Sequence, residues 1–433
     1  MNAWCACKLR WLPFYAVLAG CASHSAHSGP SAQPASQAVR SVAAIPPSEA
    51  CAGRRAAAVA TFQAEAWQPM VAGGLAQALQ TAPCNTRDRS LMAAFDWDNT
   101  MIRNDIGEAT LAWMMRHDKL RMPQPGVASS WLATSRFLQV AAAAELAQAC
   151  ATAGLAQGFV RTSDNGACAV ALMRIYDEGK TAQGAPAFAI QHPTRGGSAN
   201  ALRIEPAYAW LAQLLAGHTA AEFAAFAEAT ILEGEAAAVG STQRVGARTM
   251  PAWLRRYDAM ANLVASLRRA GIEVWIISAS PEPIVQIYAG KLGIPANRVI
   301  GVRTVPDAQG RGTATLQPCG DDLDVIPFID GKRCWLNTVA FGLRGPAAWQ
   351  TPVALWLAAG DANTDATFVK DARWHLVIDR QKPRVMCPAM ENRDGRWLIQ
   401  PMFIEPLPPA QHALECATAC TDASGSSVPC ALQ

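Results

Sequence analysis

Two aspartates one residue apart are the residues of this chain best suited to chemistry. Residues 91–100 read LMAAFDWDNT, so Asp96 and Asp98 directly follow an apolar run. Side chains alternate along a strand, but past its end the backbone can turn so that both carboxylates overlook one crevice. Such a pair suits a metal ion and a nucleophile. The alternative is a strand followed by a polar turn, since Asp and Asn are common there.

Three later segments also place polar side chains after or between apolar runs. VWIISAS carries Ser278, IDGKRCW contains Lys332, and VALWLAAGDANTD ends in Asp361 and Asp365. Each segment alone is a weak signal. A serine after a strand is commonly a helix N-cap, a lone lysine is commonly solvated, and Gly-Asp is common in turns.

Together and in this order, the four segments resemble the motif set of the haloacid dehalogenase superfamily. That set is DxDx(T/V), then Ser or Thr after a strand, then Lys, then Gly-Asp with a trailing Asp. The resemblance implies that Asp96 is a nucleophile that forms an aspartyl-phosphate and that Asp98 is the general acid and base. It implies phosphate binding, or support of the turn, at Thr100, Ser278 and Lys332.

The resemblance also implies a magnesium site, because Mg²⁺ prefers oxygen ligands. The implied ligands are a carboxylate oxygen of Asp96, the main-chain carbonyl of Asp98, Asp361 and Asp365. The position of Asp365 is the most variable of these, because Asn363 and Thr364 offer neighbouring oxygens.

Within the superfamily, residues 92–378 resemble the exported bacterial phosphorylcholine phosphatases, with phosphoserine phosphatases as relatives. DWDNT, GIEVWIISASPEPIV, NRVIGVRT and GDANTD carry the resemblance. Choline-binding members place aromatic residues after the first motif, whereas this chain has charged ones there, which favours a substrate with charges of its own. The candidate substrate contacts are Arg103, Asp105 and Glu108. The alternative is the charged first turn of a helix.

The apolar runs that end at Asp96, Ser278 and Asp361 predict parallel strands, because both faces of each read as buried. Helical patterns cover 254–270 and 281–292, and further strands are expected at 299–302 and 375–378. The predicted fold class is therefore α/β, a Rossmann-like parallel core. Ligands of such sheets bind beyond the carboxyl ends of the strands, where the motifs fall.

An additional domain is expected between the first two motifs, because 182 positions (278 − 96) separate Asp96 from Ser278. Stretches 130–150 and 206–233 are alanine-rich and helical in pattern, while 179–200 reads as loop. The resemblance implies a helical cap over the site. The predicted boundaries are a signal peptide at 1–20, a tether at 21–50, a core at 51–105 and 255–405, a cap at 106–254 and a cysteine-containing tail at 406–433.

The N-terminus reads as an export signal. Lys8 and Arg10 precede an apolar run over 11–19 that is too short to span a bilayer. Residues 18–21, LAGC, resemble a bacterial lipobox, which implies lipidation at Cys21 and anchoring to the cell envelope, with outer-membrane sorting favoured by Ala22. The alternative is ordinary secretory cleavage nearby. The overall charge of +3 offers no basic domain, so we expect no nucleic-acid partner.

Cysteine content also indicates export. Of thirteen cysteines, Cys5, Cys7 and Cys21 fall in the leader or at the lipidation site, which leaves an even ten. Such sets usually pair in oxidising compartments. The sequence does not determine which cysteines pair. Our hypothesis is that neighbours along the chain form disulfides and that the last four cysteines pair with one another in the C-terminal tail. The neighbour pairs are Cys51–Cys84, Cys150–Cys168 and Cys319–Cys334. Zinc binding through the CxxxC at 416–420 is the weaker alternative.

These observations predict a magnesium-dependent phosphomonoesterase acting on a small exported or periplasmic substrate. Two alternatives stay open: a phosphotransferase of the same fold, and a lipid-anchored binding protein that has lost catalysis. The second would be marked by loss of the nucleophile or of a metal carboxylate. The sequence predicts neither the substrate nor the oligomeric state.

Overall fold

A computed structural model describes residues 47–84, 90–189, 203–408, 416, 420–421 and 427–428. The strands are β1 (Met92–Phe95), β2 (Ile102–Arg103), β3 (Thr242–Val245), β4 (Arg248–Pro251), β5 (Arg255–Arg256), β6 (Glu273–Pro281), β7 (Val299–Val302), β8 (Thr304–Pro306), β9 (Gly312–Leu316), β10 (Leu357–Gly360), β11 (Trp374–Asp379), β12 (Trp397–Pro401), β13 (Cys420–Thr421) and β14 (Ser427–Val428).

The α-helices are α1 (Pro47–Thr61), α2 (Pro69–Thr81), α3 (Ile106–Arg116), α4 (Ala128–Leu132), α5 (Val140–Ala149), α6 (Ala167–Glu178), α7 (Pro206–Gln213), α8 (Ala220–Ala236), α9 (Asp258–Arg269), α10 (Glu282–Gly290), α11 (Asp330–Phe341), α12 (Gly345–Gln350), α13 (Ala366–Asp371) and α14 (Pro383–Glu391). None of these described helices is both long and apolar enough to cross a membrane.

A six-stranded parallel sheet forms the centre, in the order β12-β11-β10-β1-β6-β7. All residues of β1, β7 and β10 are buried, as expected for strands covered on both faces. Phe95 lies opposite Ile276 of β6 and Ala359 of β10, so these three strands end at the same edge. The α/β, Rossmann-like parallel fold predicted from the sequence is confirmed.

Alternate residues of β1 enter two different hydrophobic cores, which is why the whole strand is apolar. Ala93 and Phe95 pack in a core that includes Leu75 of α2 and Leu263 of α9. Met92 and Ala94 pack on the opposite face, in a core that contains Trp335 of α11 and Phe368 of α13. Helices on both faces hold the strand ends in place.

The predicted elements of the core agree with the structure except at one boundary. The expected strands at 299–302 and 375–378 are β7 and β11, and the expected helix at 281–292 is α10. The helix expected from residue 254 begins only at Asp258. Its first residues instead form β5, which pairs antiparallel with β2, Ile102 opposite Arg256. Sequence periodicity does not reveal this two-residue strand, because its partner is distant in the chain.

The region between the first two motifs is mainly helical, with α3 to α8 and the β3–β4 hairpin. The stretch 130–150, helical in pattern, contains parts of two helices and not an unbroken one, because residues 133–139 separate α4 from α5. There Leu138 bridges Phe188, and the amide of Gln139 donates to the carbonyl of Ala187, so this backbone pairs with a neighbouring segment instead of continuing a helix. Likewise, 214–219 separates α7 from α8, and the predicted loop at 179–200 has no helix in its described part, 179–189.

The chain leaves and re-enters the core through the paired strands β2 and β5. The predicted boundaries at 105 and 255 lie beside this pair and stay a prediction, as do the other domain limits. The signal peptide, the tether before residue 47 and Cys21 lie outside the described residues.

The three predicted neighbour disulfides are confirmed, at Cys51–Cys84, Cys150–Cys168 and Cys319–Cys334. A fourth joins Cys387 in α14 to Cys416, in line with pairing among the last four cysteines. Cys430 lies outside the described residues, so its expected pairing with Cys420 is not tested.

Candidate active site

The carboxyl ends of β1 and β10 bring three aspartates into one buried cluster. Carboxylate oxygens of Asp96, Asp361 and Asp365 lie within 4.8 Å of one another. Asp96 directly extends β1, since its amide donates to the carbonyl of Ala359 on β10 at 2.9 Å. Adjacent parallel strands thus join residues that are 265 positions (361 − 96) apart in the chain.

Lys332 connects two of these carboxylates. Its Nζ donates to Asp96 Oδ1 at 2.6 Å and also to Asp365 Oδ1, and the side chain is completely buried. Burial alone would lower the pKa of this ammonium, but the Asp365 and Asp96 carboxylates outweigh it and raise the pKa. The lysine is therefore charged, and it faces the predicted nucleophile.

The turn before α11 explains why the lysine follows a glycine. A Cβ on Gly331 would lie 1.9 Å from the carbonyl oxygen of Ile326, so a larger residue does not fit. Ile329 has φ 48° and ψ −105°, a strained conformation for a β-branched residue. Its amide donates to the carbonyl of Thr364 at 3.0 Å. Two residues beyond Lys332, Cys334 joins this helix to Cys319.

Asp98 lies above the same edge but has different partners. Its Oδ1 accepts from the Ile106 amide at 2.7 Å, at the start of α3. Its Oδ2 accepts from Ser280 Oγ at 2.7 Å and Ser278 Oγ at 3.2 Å. Burial raises the pKa of Asp98 to about 6, against the effect of these three donors. A carboxyl group with this pKa can both give and take a proton near neutral pH.

Thr100 and the loop after β10 organise the carboxylate cluster. Thr100 Oγ1, fully buried, lies 2.7 Å from Asp361 Oδ1 and 3.2 Å from Asp96 Oδ2. Asp365 Oδ2 accepts from the amides of Asp361 and Ala362, both at 2.9 Å. Thr100 thus bridges two carboxylates, and Asp365 is held in the cluster by its own loop.

The cluster fits a hard divalent cation. Its donors are carboxylate oxygens, the ligands that Mg²⁺ prefers. Burial, with repulsion from Asp365, raises the pKa of both Asp96 and Asp361, so the site holds more negative charge than its cations offset. A bound divalent ion would relieve that excess. The carboxylate of Asp98 lies outside this cluster, which leaves its main-chain carbonyl as the predicted ligand.

Two residues at this edge were missed from the sequence. Ser280 donates to Asp98, and Arg380 Nη1 donates to Asp361 Oδ2 at 2.6 Å. Arg380 follows the apolar run of β11 as the predicted residues follow theirs, so the same strand-end signal could have found it. Ser280 lies in the SASP segment, where it reads as another helix-capping serine.

The three candidate substrate residues lie beside the site, each with a protein partner. Asp105 caps α3 by accepting from the Glu108 amide at 2.8 Å, and Glu108 pairs with Arg248 at 3.2 Å. Arg103 lies in β2 and pairs with Glu405 at 3.1 Å. Burial, then repulsion from Asp98, raises the pKa of Asp105 to about 7, and burial with repulsion from Asp105 raises that of Glu108 to about 7. Asp105 and Glu108 thus lie at the cap and in the first turn of a helix, as the alternative to substrate contact predicted.

Two connected cavities place these groups relative to the carboxylate cluster. A cleft of about 100 Å³ over the strand ends is lined by Asp96, Asp98, Ser280 and Asp361 among others. A larger cavity of about 390 Å³ contains Arg103 and Glu108. The two cavities share four lining residues. These are Asn99, Asp105, Tyr208 and Arg380.

Aromatic residues do line the cleft, although none follows the first motif. Tyr176 of α6 and Tyr208 of α7 both contribute to its wall. Tyr176 is buried, whereas Tyr208 is 38% exposed. The segment after Thr100 therefore does not account for the aromatic residues around the site, because these two come from the insertion.

Comparison with known proteins is consistent with this geometry. Residues 180–326 match the family model of the haloacid dehalogenase-like hydrolases, a range that includes Ser278 and ends before Lys332. No curated protein sequence matches the chain significantly.

Three solved structures of low sequence identity are similar to the chain. One, a conserved functionally unknown protein from Anaerococcus prevotii DSM 20548, has 15% identity and a TM-score of 0.47, covering 77% of this chain and 92% of its own. A protein of unknown function from Bordetella pertussis Tohama I has 16% identity and a TM-score of 0.39, covering 72% and 98%. A phosphoserine phosphohydrolase-like protein from Francisella tularensis subsp. tularensis SCHU S4 has 14% identity and a TM-score of 0.33, covering 71% of this chain and 94% of its own. The chain is thus similar to the haloacid dehalogenase-like hydrolases over residues 180–326, and its parallel sheet has a Rossmann-like α/β fold.

Proposed function

We propose that the protein is a magnesium-dependent phosphomonoesterase that works through an aspartyl-phosphate. The observation that carries the proposal is the pairing of Asp96 with a buried, charged Lys332 while Asp98, two residues on, is held by separate donors. One aspartate is thereby arranged as a nucleophile beside a cation. The other has a pKa of about 6 and is arranged to handle protons.

In the first step, a carboxylate oxygen of Asp96 attacks the phosphorus, and the bond from phosphorus to the leaving oxygen breaks. Protonated Asp98 gives its proton to that oxygen, so the product leaves as an alcohol. Lys332 stabilises the charge on the phosphoryl oxygens, which is the largest requirement for attack on a dianion. Mg²⁺ held by Asp96, Asp361, Asp365 and the Asp98 carbonyl would supply further positive charge and orient the group.

In the second step, water attacks the phosphorus of the aspartyl-phosphate. Asp98, now a carboxylate, takes the proton of that water, and the bond between phosphorus and Asp96 breaks to release inorganic phosphate. Asp98 is then protonated again and Asp96 is free. Ser278 and Ser280 keep the acid over the cleft through both steps.

We propose that the leaving group extends into the larger cavity and carries charges of its own. Support comes from the charged lining of that cavity, with Arg103, Glu108 and Arg248, and from Tyr208 where the two cavities meet. A small substrate with both polar and cationic or anionic groups would find partners there. Asp105 lies at the junction, within reach of either part.

A substrate panel tests the proposal. Phosphoserine, phosphorylcholine and phosphoethanolamine should be hydrolysed in Mg²⁺ and not in excess EDTA, with phosphate release as the readout. Asp96→Asn should lower turnover by several orders of magnitude, whereas Asp379→Asn should not. Asp379 ends β11, and within the described part of the chain its carboxylate accepts one hydrogen bond, from the Gln381 amide, which asparagine keeps. Full activity in Asp96→Asn, or in chelator, would contradict the mechanism, and phosphate transfer to added alcohols in preference to water would indicate a phosphotransferase.

We also propose that the mature protein is exported and lipid-anchored through Cys21, on the periplasmic side of the envelope. The support is the leader with Lys8 and Arg10, the LAGC segment and the four disulfides among the described residues. Intact-mass spectrometry should detect a diacylglycerol-type adduct on Cys21 that is absent in Cys21→Ala. A mature chain beginning at another residue would contradict the anchor.

A further inference from the structure

Arg380 lies at the junction of the two cavities because of the strand order. β11 is adjacent to β10, and Val377 lies opposite Gly360, so the residues just past both strand ends are neighbours. Nη1 of Arg380 donates to Asp361 Oδ2 at 2.6 Å. The side chain contributes to the walls of both the cleft and the larger cavity.

Most donors of this guanidinium are unused. An arginine presents five N–H donors in a planar fork. Within the described part of the chain, only Nη1 has a hydrogen-bond partner; Nε and Nη2 have none. The side chain is 29% exposed and lines the cleft.

The other cations near the site are each held by carboxylates of the protein. Lys332 is shared by two carboxylates. Arg103 binds Glu405 together with Asn99 and Asn104. Arg248 binds Glu108 and Asp177. Arg103 Nε and Arg248 Nη1 have no hydrogen-bond partner either, but both atoms are buried. Among the described residues, Arg380 is the cation that lines both cavities, and its Nε and Nη2 are without a protein partner.

Charge balance indicates which ligand those donors suit. Four aspartates surround the reaction site, and a phosphate monoester would add two negative charges. Lys332 and one divalent ion together bring only three positive charges. A guanidinium at the mouth of the cleft offsets part of the remainder, and its planar fork matches phosphate oxygens.

We propose that Arg380 is a further phosphate-binding residue, which holds a phosphoryl oxygen on the leaving-group side through Nε and Nη2 while Nη1 stays on Asp361. The inference rests on the proposed function, since it assigns a contact to that substrate. The competing possibility is that Arg380 only orients Asp361 for the metal.

Binding measurements separate the two roles without turnover. The full-length protein is titrated by calorimetry with Mg²⁺ alone and then, at saturating Mg²⁺ for each variant, with inorganic phosphate and with orthovanadate. The variants are Arg380→Gln, Arg380→Lys and the control Arg384→Gln. Arg384→Gln removes the same charge four residues further along the chain, and Arg384 lines neither cavity.

We expect Arg380→Gln to bind both anions at least about tenfold more weakly than Arg384→Gln does, the scale of a lost charge-assisted hydrogen bond. Arg380→Lys should recover part of the loss, and Mg²⁺ affinity should not fall. Equal anion affinity in Arg380→Gln and Arg384→Gln would overturn the inference, as would weaker Mg²⁺ binding with unchanged anion affinity. If the wild-type protein bound neither anion in Mg²⁺, the proposed function itself would fail.

Discussion

The floor and the wall of the cleft are built in different ways. We define the floor as Asp96, Asp98, Asp361 and Asp365, which follow the ends of β1 and β10, together with Lys332 of α11. We define the wall as Arg103, Asp105, Glu108, Tyr176, Tyr208 and Arg248. Apart from Asp98, the floor residues are buried, and each is tied to the others through shared hydrogen bonds. The wall residues come from β2, β4 and three separate helices, and they are engaged mainly in pairs.

Under the proposed function, this difference would assign the two regions to different parts of a phosphomonoester. The floor is a preorganised set of charges, which is effective only where charge develops in the transition state. Every phosphomonoester presents the same group there. The wall is more exposed and lies toward the larger cavity, so it contacts the part that differs between substrates. Floor variants should therefore affect all substrates and wall variants only some.

Among variants that keep the nucleophile Asp96, the largest effect is expected for Asp98→Asn. Turnover should fall by roughly 10²–10⁴-fold on every substrate, the usual contribution of a general acid and base. Because Asp96 remains, acid-quenched protein incubated with ³²P-labelled substrate should retain label, whereas Asp96→Asn should retain none. Weaker metal binding without a trapped species would mean that Asp98 acts only as a ligand.

Gly331→Ala should come next. Its Cβ would meet the Ile326 carbonyl, so the backbone must shift and move Lys332, and a 1 Å displacement of a catalytic group can cost about 10²-fold. The control is Gly342→Ala, at the other end of α11, where φ is positive (71°) but a Cβ would meet open space. Both variants should melt at lower temperature; only Gly331→Ala should lose kcat on all substrates. Equal kcat values in the two variants would show that the position of Lys332 does not depend on this turn.

Arg103→Ala tests the wall. For substrates whose leaving group carries an anionic group, the loss should be about 1.5–3 kcal/mol in kcat/KM, the scale of a hydrogen bond to a charged group. An aryl phosphate without that group should be cleaved almost normally, and Arg103→Lys should retain part of the selectivity. A uniform loss would place Arg103 in the phosphate site or in the fold, and no loss would make it a solvated charge.

The smallest effect is a shift in pH dependence in Ser280→Ala. Leaving-group departure needs protonated Asp98, so the rate should fall as pH rises through its pKa of about 6. Removing the Ser280 hydroxyl destabilises the ionised carboxylate, raises that pKa and should move the fall about one pH unit higher. With a substrate whose leaving group needs no proton, neither the wild type nor Ser280→Ala should show this fall in rate at higher pH. A fall at lower pH would contradict the assignment of the acid.

Most of the floor was predictable from the sequence because each of its residues lies next to an apolar run or within a compact motif. The carboxyl ends of adjacent parallel strands lie at the same edge of the sheet, so residues that directly follow such strands are expected to lie close together. Arg380 follows the same rule and was missed only because arginine after a strand has no single meaning. The wall was less predictable. Tyr176 and Arg248 reach it through the packing of α6 and the β3–β4 hairpin, which depends on contacts between distant segments rather than on local periodicity.

Ile329 links the floor to the redox state of the chain. A strained residue of this kind costs about 1–3 kcal/mol and persists only when its surroundings hold it. Its amide is bound to Thr364, in the loop that carries Asp361 and Asp365, and the helix it begins is cross-linked by Cys319–Cys334. Lys332 and the loop that carries Asp361 and Asp365 are therefore coupled through the backbone of Ile329. In a reduced chain only non-covalent contacts would oppose that strain, so we expect reduction of this one disulfide to loosen the turn that positions Lys332.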